Sequence, residues 1–217
     1  ASNPQAPGHG TARLETWALE RAEEQPDGAV TVVMRYAASP LSHQYLPQGF
    51  ELALEATFGS TLSLQLTVRN TDPQPLHCEA ALHTYFAVGD IRHTRVQGLE
   101  GTQYVDKTDG LRRKTCPPDQ AITFRAETDA VHLNTTSTCR IVDPLLARQV
   151  VIEKSGSHST VVWNPWINKA KAMPDFGDGE WPGMVCVETC CVGDDALHLA
   201  PQQAHTLGAQ IRVEPLA

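Results

Sequence analysis

The stretch from Phe50 to Asn70 constrains the fold most. It reads FELALEATF, then Gly59-Ser60, then TLSLQLTVRN. Each arm alternates apolar and polar residues. Successive side chains on a strand point to opposite faces, so each arm buries one face and wets the other. A Gly-Ser pair between two such arms is the turn chemistry of a β-hairpin. Similar runs recur at Ala29–Tyr36, Leu76–Val88, Ile91–Val96, Ala121–Phe124, Ala130–Leu133, Thr138–Val142, Gln149–Glu153, Thr160–Trp163, Val185–Thr189, Ala196–Leu199 and Thr206–Val213. Turn residues such as Asn70-Thr71-Asp72-Pro73 separate them. Strand signals about 8–12 residues apart, with no convincing long helix, predict an all-β antiparallel sandwich or barrel. Only His9–Glu20 has helix-like Ala/Leu/Glu content, and neither period is clean there.

With 217 residues, 41% hydrophobic and 19% charged, residues 1–217 suit one domain with a large core, or at most two small ones, and a single domain is the expectation. The formal charge is −8 and the basic residues are scattered. That balance argues against nucleic acid and anionic membranes as partners, while leaving room for a local basic pocket. No apolar run approaches the roughly 20 residues of a membrane span. The opening from Ala1 to Gly8 lacks a signal-peptide pattern. Six cysteines occur, at 78, 116, 139, 186, 190 and 191, with no paired CxxC motifs at zinc spacing. No metal centre is expected, and adjacent Cys190 and Cys191 cannot bridge each other without strain. Reduced thiols in a cytoplasmic protein are the expectation, although the Asn134-Thr135-Thr136 sequon points the other way.

Few residues invite chemistry. Val185-Cys186-Val187-Glu188-Thr189 is an apolar run between Gly183 and Gly193-Asp194-Asp195, and Glu188 interrupts it. A carboxylate at the end of a buried strand is costly to desolvate unless it is paired, hydrogen-bonded or used. Alternatively it marks the strand end and points to water. His83 sits between Ala80-Ala81-Leu82 and Tyr85-Phe86. It is either a satisfied core histidine or a proton carrier, its ordinary pKa of about 6.5 serving both protonation states. His9 lies between glycines, and Arg13 by itself reads as a solvated side chain. The long loop Lys169–Gly183 holds Pro174, Gly177, Gly179 and Pro182, and long ordered loops often carry function.

Taken in order, HGTAR followed by Trp17, LHTYFAVGDI, VQGLEGTQYVD, Glu127-Thr128-Asp129, VVWNPW with Lys169 and Asp175, and VCVET form a set. It spans nearly the whole chain and resembles the glucose-6-phosphate 1-epimerase family of the galactose mutarotase-like superfamily. The resemblance implies an antiparallel β-sandwich with few short helices, a monomer, no cofactor, and a sugar phosphate as small-molecule partner. It implies His83, in LHTYF, as catalytic histidine and Glu188, in VCVET, as catalytic glutamate. It implies that Arg13, in HGTAR, contacts sugar and phosphate, with His9 beside the sugar, and that Asp129 contacts hydroxyls. Gly8 departs from the glutamine usual in the family before the HG pair. Family members also carry earlier strands with a second phosphate-contacting arginine, and residues 1–217 are expected to lack them.

The reaction implied is anomer interconversion. A base removes the C1 hydroxyl proton and an acid protonates the ring oxygen. The ring opens to the aldehyde, the C1–C2 bond rotates, and the reverse transfers close the other anomer. Glu188 suits the base and protonated His83 the acid. Trp163 or Trp166 either stacks on the sugar or packs in the core. Lys169 either adds charge near the phosphate or is solvated. The sequence leaves open an aldose 1-epimerase acting on unphosphorylated sugars, a non-catalytic carbohydrate-binding β-sandwich, and a structural domain with no sugar site.

Overall fold

The computed structural model describes residues 5–216. Ala1–Pro4, the start of the opening read above for a signal peptide, lie outside the described residues. The chain divides into two compact units. One runs up to Cys78 and adds Leu197–Leu207; the other comprises Glu79–Ala196 and the stretch from Gly208 onward.

The first unit is built on the hairpin. Phe50–Phe58 pairs antiparallel with Leu62–Asn70, in register from Phe50↔Asn70 to Phe58↔Leu62. Val30–Ala37 pairs with Phe50–Phe58, and Ala18–Glu24 pairs with Val30–Ala37. The alternation does what period two dictates: Phe50 and Leu52 are buried and Glu51 is exposed. The Tyr36 ring lies between Trp17 and Phe50, with centroids 5.6 and 6.0 Å away. His9–Glu20 is not helical. It consists of turns leading into the strand Ala18–Glu24. Pairing with Val30–Ala37 outweighs the helix propensity of its Ala, Leu and Glu. Leu76–Cys78 and Leu197–Leu199 form a separate two-stranded ribbon, with His77 opposite His198.

The second unit holds two antiparallel sheets. One contains Ile122–Thr123, Arg95–Gln97, Cys139–Asp143 and Arg148–Ser155, in that order. Residues 208–215 of the strand Ala204–Pro215 pair with Arg148–Ser155. The other runs Arg112–Thr115, Gln103–Asp106, Thr128–His132, Ser159–Asn164 and Met184–Cys191. Two short strands, Ala80–Leu82 and Tyr85–Ala87, share the free edge of Met184–Cys191. Val96, Ile141 and Val151 from one sheet and Val162, Val185 and Val187 from the other are at most 2% exposed. Every residue of Met184–Cys191 is buried, which is why this strand reads as a run rather than an alternation.

The segment between Asn164 and Met184 opens with a helix, Trp166–Ala172, whose second half takes up the start of the loop expected over Lys169–Gly183. Its anchor is the fully buried Asn164. The Asn164 amide donates to the carbonyls of Trp181 (2.8 Å) and Met184 (2.9 Å), and its Oδ1 accepts from the Trp166 N–H (2.9 Å). One side chain therefore ties both ends of the excursion. Trp166 starts the helix at φ 55°, a left-handed conformation costly for a bulky residue.

Candidate active site

The site starts from a defect in strand pairing. Leu82 is opposite Thr189 and Tyr85 is opposite Cys186. His83 and Thr84 therefore face Val187 and Glu188 without joining the ladder. The Thr84 N–H instead bonds the Leu82 carbonyl at 2.9 Å, a three-residue turn of the γ type. This interruption sets the His83 ring against the carboxyl of Glu188. His83 Nε2 lies 3.3 Å from Glu188 Oε1.

Register supplies the rest. Asp129 is opposite Trp163, and Trp163 is opposite Cys186; Val131, Val161 and Glu188 form the next such row. Opposed residues and alternate residues share a face, so Asp129, Trp163, Cys186 and Glu188 lie on one side of the sheet. Lys107 Nζ pairs with Asp129 Oδ2 at 3.1 Å. The Tyr85 ring stacks on His83, with centroids 5.1 Å apart and planes 15° apart. Trp163 meets both rings edge-on, at 6.1 and 5.9 Å. Met173 and Phe176, carried by the excursion, pack on Trp163, Met184 and Cys186. The result is an aromatic wall beside a carboxyl and an imidazole in contact.

Burial governs the electrostatics. Glu188 is 5% exposed. Desolvation pushes its carboxyl up, the nearby Asp129 charge adds to that, and Lys107 offsets part, leaving the pKa at about 8. A carboxyl so placed exchanges a proton near neutrality. His83 Nε2 is in contact with this carboxyl. Burial, with a smaller contribution from Glu188, also lifts the Cys186 thiol above its ordinary range. His83, Cys186 and Glu188 offer ligand atoms within 4.8 Å of one another.

The structure thus brings together His83, Glu188 and Asp129, with Trp163 beside them. Trp166 packs elsewhere, on Trp181 at 4.4 Å, and Lys169 is exposed on the helix. His9 and Arg13 belong to the first unit, in turn structure. His9 has φ 63°, and the exposed Arg13 Nε donates to the Gly8 carbonyl at 3.1 Å. Residue-level reasoning did not single out Lys107, Tyr85, Cys186, Met173 or Phe176. Two signals were available: Cys186 precedes Glu188 by two on a strand, and Tyr85 follows His83 by two within LHTYF. Lys107 carries no local signal, since only folding sets it against Asp129.

Comparison with known proteins completes the description. Residues 2–212 match the family described as aldose 1-epimerase. A protein from Cenchrus ciliaris, provisionally named a glucose-6-phosphate 1-epimerase, is 38% identical over 194 residues, which cover 85% of this chain and 58% of the relative. One from Salmonella typhimurium with the same provisional name is 32% identical over 198 residues, covering 91% of this chain and 63% of the relative. A crystal structure of a provisionally named mutarotase from Salmonella typhimurium superposes with a TM-score of 0.89 at 28% identity, over 99% of this chain and 70% of the other. That match bears out the all-β antiparallel fold expected from the strand pattern and the β-sandwich implied by the resemblance. The chain spans less than two thirds of the length of both curated relatives.

Proposed function

The chain belongs to the aldose 1-epimerase family, and from that premise we propose that it interconverts the α and β anomers of a hexose 6-phosphate, with glucose 6-phosphate as substrate. The observation that carries this reading is the buried Glu188 carboxyl, with its pKa raised to about 8, in contact with His83. Ring opening acts on two oxygens bonded to one carbon, the C1 hydroxyl and the ring oxygen. Two proton carriers 3.3 Å apart suit such a geminal pair.

Glu188 as carboxylate takes the C1 hydroxyl proton while protonated His83 gives its proton to the ring oxygen. The bond from C1 to the ring oxygen breaks and the electron pair on the C1 oxygen forms the aldehyde. After rotation about C1–C2, His83 recovers its proton from the freed hydroxyl as that oxygen attacks C1. Glu188 returns its proton to the C1 oxygen. Protons balance over the cycle, so the pair is ready for the next sugar. Each positioned proton carrier contributes about 10²–10⁴-fold.

Trp163 offers its ring to the apolar face of the sugar, and Asp129, held by Lys107, accepts from hydroxyls. Arg13 and His9 contact phosphate and sugar in this reading, Arg13 through its planar fork. That part rests on the likeness of HGTAR to the family pattern, and the phosphate on the names of the relatives. We read the protein as a monomer of the cytoplasm, with the thiols of Cys116, Cys139, Cys186 and Cys190 in no disulfide, as suits a reducing compartment.

The test is NMR exchange spectroscopy on α and β glucose 6-phosphate in phosphate-free buffer, with glucose and galactose alongside. Acceleration for glucose 6-phosphate alone supports the phosphosugar epimerase. Equal acceleration of all three moves the activity to unphosphorylated aldoses and removes the phosphate role of Arg13. No acceleration by folded protein overturns the catalytic reading and leaves a carbohydrate-binding β-sandwich.

A further inference from the structure

We propose that His83, Cys186 and Glu188 form a binding site for a thiophilic divalent cation, with zinc the best match, and that the ion occupies the acid–base pair in place of sugar. The binding claim stands on the geometry alone; the claim that zinc inhibits rests on the function proposed above.

Cys186 and Glu188 are two apart on one strand and share a face, and the break at His83-Thr84 brings the third ligand over them. The imidazole nitrogen, the thiol sulfur and the carboxylate oxygen all lie within 4.8 Å of one another. The tightest pair, His83 and Glu188, is 3.3 Å apart. Nitrogen and oxygen ligands on tetrahedral zinc, with bonds of about 2.0–2.2 Å, stand roughly 3.3–3.5 Å from each other.

The donor chemistry selects the ion. One nitrogen, one sulfur and one oxygen suit borderline metals, whereas magnesium and calcium take all-oxygen shells. Three protein ligands leave a fourth position for water, and the His83 side chain is 25% exposed, which gives an approach from solvent. Cys186 is fully buried, and its thiol makes no hydrogen bond among the described residues. Such a donor has no partner to give up. Binding releases the thiol proton to the buffer. No spacing motif announces this site, because its third ligand stands 103 positions before Cys186 (186 − 83).

The experiment uses cobalt(II) alone and zinc(II) alone with the purified chain, in buffer free of phosphate and chelators. One equivalent of cobalt should give a thiolate-to-metal charge-transfer band with the strong visible absorption of four-coordination, and zinc should abolish both. Cys186→Val, which keeps the volume, and Cys186→Ala should lose the band and bind zinc at least tenfold more weakly; whichever folds decides. The exposed His77 and His198, with Nδ1 atoms 3.0 Å apart, are a competing pair, so His77→Ala should retain the band. Cobalt bound without the band, a band that survives Cys186→Val, or a band lost in His77→Ala overturns the site. Zinc should also slow anomer exchange in competition with sugar, and undiminished exchange at saturating zinc overturns the inhibitory half. If the chain shows no exchange at all, the function fails while the cobalt spectrum still decides the site.

Discussion

Glu188 Oε1 and His83 Nε2 stand 3.3 Å apart, with Glu188 in the middle, not at the end, of a strand buried along its whole length. Neither residue is held there by its own local sequence. The contact exists because Ala80–Leu82 and Tyr85–Ala87 pair with one strand and leave His83-Thr84 out of the ladder between them. Two groups in direct contact that serve one reaction act as a unit. Glu188→Gln and His83→Asn should therefore each reduce anomer exchange by about 10²–10⁴-fold. The double variant should be scarcely worse than the poorer single one, because residues acting together are non-additive. NMR exchange rates on the three proteins check this. Losses that multiply would mean that the two act independently.

The neighbours of Glu188 predict opposite shifts in the pH profile. Exchange by carboxylate requires Glu188 ionised, so kcat/KM should fall as pH drops below about 8, the pKa set chiefly by burial. The Asp129 charge raises that value and Lys107 lowers it. Asp129→Asn should move the acid limb to lower pH, and Lys107→Met should move it to higher pH. Profiles of kcat/KM against pH for the three proteins would show it. Shifts of the same sign in both variants would refute the assignment of that limb to Glu188.

The same burial has a cost in stability. The ordinary carboxyl value is 4.5 and the folded value about 8. Below pH 4.5 both folded and unfolded chains hold the proton and nothing is lost. Between the two values the unfolded chain ionises while the folded one does not, so stability falls as pH rises. The loss is about 1.4 kcal/mol per unit, to an upper limit of roughly 4–5 kcal/mol above pH 8. Glu188→Gln cannot ionise. It should match the wild type in urea denaturation at pH 4 and exceed it at pH 9. Equal midpoints at pH 9 would show that the carboxyl is solvated.

How much of this was legible follows from which interactions are local. The hairpin was, because alternation and Gly59-Ser60 act within about twenty residues; the strands end at Phe58 and Leu62 around that turn. Val185–Thr189 was also legible as a strand, since its apolar run and flanking glycines are local signals. His83 and Glu188 could be named only from the likeness of LHTYF and VCVET to a family, since the pairing defect joins segments about a hundred residues apart. The helix Trp166–Ala172 was invisible for another reason. It is seven residues long, begins on a residue with positive φ and is held by Asn164, so no periodic pattern was needed to form it. Lys107 was missed because its partner Asp129 stands across a strand pair.

Asn164 offers a test of what holds the aromatic wall in place. Its amide satisfies two carbonyls and its oxygen one N–H, all at the ends of the excursion that delivers Met173 and Phe176 to Trp163. A buried polar group left without its partner costs about 1–3 kcal/mol. Asn164→Ala orphans three such groups, some of which water can reach, and should cost about 2–4 kcal/mol. Asn164→Asp keeps the acceptor for the Trp166 N–H. It sets a second oxygen against the carbonyls of Trp181 and Met184, so it should be at least as damaging at neutral pH and partly rescued in acid. Urea denaturation at pH 5 and pH 8, with limited proteolysis between residues 166 and 183, separates the two. Cleavage in that segment should rise in both variants before global unfolding begins. If Asn164→Ala loses less than about 1 kcal/mol and the segment stays resistant, packing of Trp166 on Trp181 holds the excursion instead.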